Sequence, residues 1–154
     1  MKKMIFGLFG CVMFFLGSVN AQTPVGLVVV PSANDVATTQ AKLEAAIAAA
    51  DGLMVMTVVD HTLNAASVGL DLRPTRVVLF GNPNAGTPLM QAAQSVAIDL
   101  PQKMLIWEDE AGNVFVAYNN PYYLKARHSV EGQDELLAKI SGLLDMLAKA
   151  ATAQ

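Results

Sequence analysis

Val77-Val78-Leu79-Phe80-Gly81-Asn82-Pro83-Asn84-Ala85-Gly86-Thr87-Pro88-Leu89-Met90 sets how the rest of this chain is read. Its first four residues are apolar and β-branched enough for a short buried strand. Thr87 is a candidate N-cap, and Pro88 then stands at the first helical position, where a missing N–H costs nothing. Between strand and helix the reading expects two turns, with Gly81 and Gly86 supplying backbone freedom. A rigid strand would thus deliver a polar loop to the mouth of a helix, an arrangement suited to an anion or small polar ligand.

Similar punctuation divides the remainder. Val25 to Val30 reads as a strand closed by Pro31-Ser32, and Asn34 or Asp35 caps a helix ending at Asp51-Gly52. Leu53 to Val59 is a second strand, followed by a short helical turn over Asp60 to Gly69. The helix from Pro88 is expected to run to Ile98, stopped by Asp99-Leu100-Pro101. Lys103–Trp107 and Val114–Tyr118 form a hairpin across a glycine-bearing acidic connection. Asn120-Pro121 opens a short helix, and Gln133 to Ala150 is the longest, with Leu136, Leu137, Ile140, Leu143, Leu144 and Leu147 on one stripe. This order of elements is α+β: a mostly antiparallel sheet with helices packed on one face.

Lys2 and Lys3, the apolar run Met4 to Leu16, and small residues at Val19 and Ala21 describe a cleaved secretory signal over residues 1–21. The run is too short to span a bilayer, which takes ~20 apolar residues. Removing those 21 residues from 154 leaves 133, residues 22–154, enough for a single domain with one core. The mature chain would be periplasmic or secreted, with no membrane attachment after cleavage. Its eight Lys and Arg against 13 Asp and Glu give a formal charge of −5, which argues against nucleic acid as a partner. The only cysteine, Cys11, leaves with the signal, so no disulfide or thiolate chemistry is expected.

Gly81-x-x-x-x-Gly86 has the glycine spacing of a phosphate-binding loop, but Thr87 follows where the lysine should stand, so nucleotide hydrolysis is not expected. Main-chain donors and the amides of Asn82 and Asn84 remain, along with Gly86 and Thr87; good turn formers would, however, be needed there in any case. His61 and His128 are the only histidines. They are candidates for a general base or ligand, though no metal-binding spacing surrounds them, and His61 also suits the cap of a turn and His128 a helix C-terminus. Ser67, Ser95 and Ser129 sit in no G-x-S-x-G elbow. The run Glu108-Asp109-Glu110 lacks the calcium-loop pattern and reads as a solvated hairpin tip. Arg73 and Arg76 are the cations best placed to pair with Asp60, Asp71 or an anionic ligand.

Taken in order, Asp60-His61, Asn64-Ala65, Leu72-Arg73-Pro74-Thr75, Phe80-Gly81-Asn82-Pro83, Ala85-Gly86-Thr87-Pro88-Leu89-Met90, Ala97-Ile98-Asp99-Leu100-Pro101, Trp107-Glu108-Asp109 and Arg127-His128 resemble a bacterial family known as domain of unknown function 302. The resemblance implies a β-α-β-β-β-β-α plan of the TATA-box-binding-protein-like kind with helical insertions, and a homodimer. It carries no activity, cofactor or metal. The leading expectation is a non-enzymatic domain binding a small polar or anionic ligand, or a protein partner, through Gly81–Thr87. His61, Asn64, Arg76, Asn82, Asn84, Gly86, Thr87 and His128 are the candidate residues. The alternatives are a small hydrolase or metal-binding enzyme using both histidines, and a structural homodimer.

Overall fold

Continuous apolar strands separated by capped helices fold here as one sheet with its helices gathered on one side. The computed structural model describes residues 25–154; the signal reading of residues 1–21 lies outside them. The strands are β1 (Leu27–Ser32), β2 (Met54–Asp60), β3 (Thr75–Gly81), β4 (Gln102–Glu108) and β5 (Val114–Asn119). They form a five-stranded sheet of order β1-β5-β4-β3-β2, antiparallel at every pairing. The helices are α1 (Val36–Ala49), α2 (His61–Ala66), α3 (Pro83–Ala92), α4 (Pro121–His128) and α5 (Asp134–Thr152), with a 3-10 turn over Gln94–Ile98. Stripped of α2, α3 and α4, this is the β-α-β-β-β-β-α plan.

Strand alternation sends Val78 and Phe80, Met104 and Ile106, and Val116 and Tyr118 to the helical side, where all are buried. Leu43 and Ile47 of α1 and Leu137, Leu144 and Leu147 of α5 close over them. Spacings of three and four put those residues on the inward stripe of each helix. Asp35 caps α1 by accepting from the Thr38 amide at 2.6 Å, which holds its carboxyl below the usual range.

Two sequence expectations shift locally. β1 starts at Leu27 because Gly26 turns the chain with φ +84, and it runs through Pro31. Pro31 lies opposite Phe115 on an edge strand, the place in a sheet where proline is tolerated. The larger shift concerns the helix expected from Pro88. Asn82 is its cap and Pro83 its first residue, so Gly86, Thr87 and Pro88 lie inside α3. Neither Gly81 nor Gly86 has positive φ; among the described residues the glycines that do are Gly26, Gly52, Gly69, Gly112 and Gly132. At its far end the helix breaks at Ala93, an extended residue (φ −152, ψ 100), before the 3-10 turn.

Candidate functional site

The Asn82 side chain organises the start of α3. Its Oδ1 accepts from the Asn84 amide at 2.9 Å, and its main-chain carbonyl accepts from the Ala85 and Gly86 amides, both at 3.0 Å. The donors expected to face open space are therefore satisfied within the helix start. Asn84 itself is exposed and takes part through its backbone alone. Pro88 cannot donate to the Asn84 carbonyl one helical turn earlier.

What this segment borders is a cavity of about 320 Å³ with an almost wholly apolar lining. Leu53 and Met56 close it from β2 and the approach to it, and Phe80 forms the sheet side. Pro83, Ala85, Gly86, Thr87, Leu89 and Met90 contribute from α3, and Ala97, Leu100 and Pro101 from the segment after it. Ile140, Leu143 and Leu144 of α5 form the remaining wall. Among the described residues, polar side chains enter only through Asn82, Thr87 and Gln102. A cavity near 150 Å³ already accommodates benzene when its lining is apolar, and this one is about twice that size.

The other candidate residues separate along the sheet. β2 starts at Met54, opposite Gly81, and ends at Asp60, opposite Arg76. His61, Asn64 and Arg76 therefore lie at the end away from the cavity, with Arg76 roughly 16 Å of strand from Gly81. Arg76 is also already engaged: its Nε donates to Asp60 Oδ2 at 2.8 Å and its Nη1 to Gln40 Oε1 at 3.0 Å. Asp60 caps α2 through the Leu63 amide at 3.0 Å. That bond first, and Arg76 beside it, hold the Asp60 carboxyl below its ordinary range. His61 and Asn64 are exposed on α2.

His128 closes α4 near the cavity end, so the two histidines occupy opposite ends of the sheet and share no site. Among the described residues no cluster of three or more His, Cys, Asp or Glu could hold a metal. His128 has different company. Its Nε2 meets Asp99 Oδ2 at 2.7 Å, and its Nδ1 meets Ser95 Oγ at 3.1 Å. Arg127 Nη1 donates to Asp99 Oδ1 at 3.2 Å, and Lys103 Nζ to the Asp99 carbonyl at 3.1 Å. Ser95 and Asp99 escaped the sequence reading as partners of His128. They lie 33 and 29 residues from it, and no local motif marks such a meeting.

Residues 28–147 match the sequence model of the family described as "Domain of unknown function DUF302". The chain belongs to this family. Three Brucella proteins match it over 105 residues. "Fluoride-specific ion channel FluC 1" of Brucella suis biovar 1 is 45% identical over 105 residues, covering 68% of this chain and 41% of that protein. "Fluoride-specific ion channel FluC 2" of Brucella melitensis biotype 1 is likewise 45% identical over 105 residues, covering 38% of its length. The chain thus spans about two-fifths of these curated relatives. The uncharacterized DUF302 protein from Bacillus stearothermophilus, a crystal structure, superposes with a TM-score of 0.73 at 19% identity. That likeness covers 82% of this chain and 98% of the other and establishes the fold.

Proposed function

We propose that this DUF302 domain is an exported module whose Gly81–Thr87 segment borders a receptor cavity for a small, mainly apolar molecule. The observation that supports this is the chemistry of the lining. Leu, Met, Phe, Ala and Pro side chains surround about 320 Å³, with a few polar groups to orient a ligand head. The amides once expected to hold an anion are used inside α3. The Brucella relatives are named as channels, but no helix among the described residues here is long and apolar enough to cross a membrane. We read the shared segment as a domain those proteins carry beside their pore, not as the pore. Thermal shifts test the cavity. Octan-1-ol and related aliphatic alcohols raise the melting midpoint and phosphate or acetate do not; the reverse pattern refutes the reading.

A second reading, a homodimer, is favoured by the face of the sheet away from the helices. Leu27, Val29, Val59, Val77, Leu79, Leu105, Trp107 and Phe115 share that face by strand parity and are only partly covered. Trp107 and Phe115 stack there with ring centroids 5.3 Å apart. An antiparallel sheet with one solvated face normally alternates apolar with polar residues, and these strands do not. Five strands at ~4.8 Å by six residues at ~3.3 Å give about 500 Å² per copy, or about 1,000 Å² for a pair, which is where stable interfaces begin. Sedimentation tests it: a dimer that Leu105→Glu converts to a folded monomer supports the reading, and a wild-type monomer throughout refutes it.

A further inference from the structure

The geometry points to a second activity at the 3-10 turn: Ser95, His128 and Asp99 form a hydrolytic constellation acting on carboxylic esters. Three elements converge to build it. The 3-10 turn exposes Ser95, the last residue of α4 is His128, and Asp99 lies in the bend before β4. The Asp99 carboxylate, mostly buried, accepts from His128 Nε2–H at 2.7 Å. That bond fixes the tautomer and leaves the Nδ1 lone pair to accept from the Ser95 hydroxyl at 3.1 Å. This is the relation of nucleophile, base and orienting carboxylate that acyl transfer requires, with the two ring nitrogens exchanged relative to the usual order. Arg127 and Lys103 hold Asp99 in place, through its carboxylate and its carbonyl respectively.

The reaction balances without a co-reactant other than water. Ser95 Oγ attacks the ester carbonyl carbon as its proton passes to His128 Nδ1. The tetrahedral intermediate collapses, the C–O bond to the alcohol breaks, and the departing oxygen takes that proton. Water then attacks the Ser95 ester, again losing a proton to Nδ1, and the carboxylic acid leaves as Ser95 recovers its hydrogen. The Ser95 amide has no partner among the described residues and can donate to the developing oxyanion. Ser95 and His128 are catalytic residues in this scheme; Asp99 and Arg127 are positioning residues. Ala97, two residues from the nucleophile, lines the apolar cavity. Acyl-chain preference therefore rests on the cavity reading, whereas hydrolysis itself does not.

The test is labelling of the purified protein with a fluorophosphonate, followed by peptide mapping, alongside hydrolysis of p-nitrophenyl acetate and octanoate. One adduct on Ser95 is expected, with hydrolysis that Ser95→Ala abolishes and His128→Gln lowers at least ~100-fold. Asp99→Asn should slow labelling and change the His128 tautomer seen by nitrogen-15 NMR, which a purely structural brace would not couple to Ser95 reactivity. Equal turnover of acetate and octanoate, with Ser95 labelled, refutes the cavity's part alone and leaves the hydrolase standing. An unlabelled Ser95, with wild-type hydrolysis no faster than that of the folded Ser95→Ala variant, overturns the proposal.

Discussion

Gly86→Ala separates a helix from a turn at the segment that borders the cavity. In α3 the residue has ordinary helical backbone, and an added Cβ would meet only Leu100 Cδ1 at 3.7 Å, a normal contact distance. Glycine in a helix interior costs roughly 0.5–1 kcal/mol relative to alanine, so the substitution should stabilise by about that amount. For a domain of about 130 residues, 1 kcal/mol corresponds to a rise in melting midpoint of roughly 3–4 °C. Urea titration should show a higher midpoint with unchanged slope, since the surface exposed on unfolding hardly alters. A left-handed glycine in a turn would respond in the opposite sense. A loss of ~1 kcal/mol or more would refute the helical placement and return the segment to the doubled bend read from the sequence.

The remaining predictions use the same denaturation measurements. Gly26→Ala should behave oppositely to Gly86→Ala: φ is +84 and the new Cβ would lie 2.4 Å from the Tyr123 ring, so a loss well above ~1 kcal/mol is expected. Leu144→Ala, at a fully buried position on α5, should cost ~2–5 kcal/mol, and a loss below ~1 kcal/mol would contradict the packing described. Asp35, Asp60 and Asp109 all have carboxyl pKa values lowered on folding, chiefly by hydrogen bonds to helix-start or turn groups. Groups lowered in the native state add stability above the unfolded carboxylate pKa and lose it as pH falls through their folded values. Stability should therefore decline below about pH 4, and Asp60→Asn should lessen that decline; an acid limb identical to wild type would contradict the role of Asp60.

The sheet and its helices were legible because each signal was redundant. The α5 stripe at Leu137, Ile140, Leu144 and Leu147 matched helical spacing, and Gly112 marked the β4–β5 turn with φ +80. The start of α3 was not, because Asn82-Pro83 and Thr87-Pro88 are both cap-and-proline signatures five residues apart. Local rules favour the second, since it spares the helix an internal Gly86 and Pro88. The helix that forms starts earlier, with the Asn82 side chain as its cap, and lays Leu89 into the core. The cavity was invisible for another reason. Its walls come from β3, α3 and α5, and an apolar residue facing a hollow has the same sequence signature as one packed solid. Asp60 was one of three partners open to Arg73 and Arg76, beside Asp71 and an anionic ligand, and it pairs with Arg76, whereas the partners of His128 required the fold to bring distant segments together.

The nature of the ligand at Gly81–Thr87 is tested most directly by titrating nitrogen-15-labelled protein separately with octan-1-ol and inorganic phosphate while following backbone amide shifts. Saturable changes with the alcohol at Gly86, Thr87, Leu100 and Leu143, and none there with phosphate, are predicted. Saturable phosphate shifts at the amides of Asn84, Ala85 and Gly86, with the alcohol silent, would contradict an apolar receptor cavity.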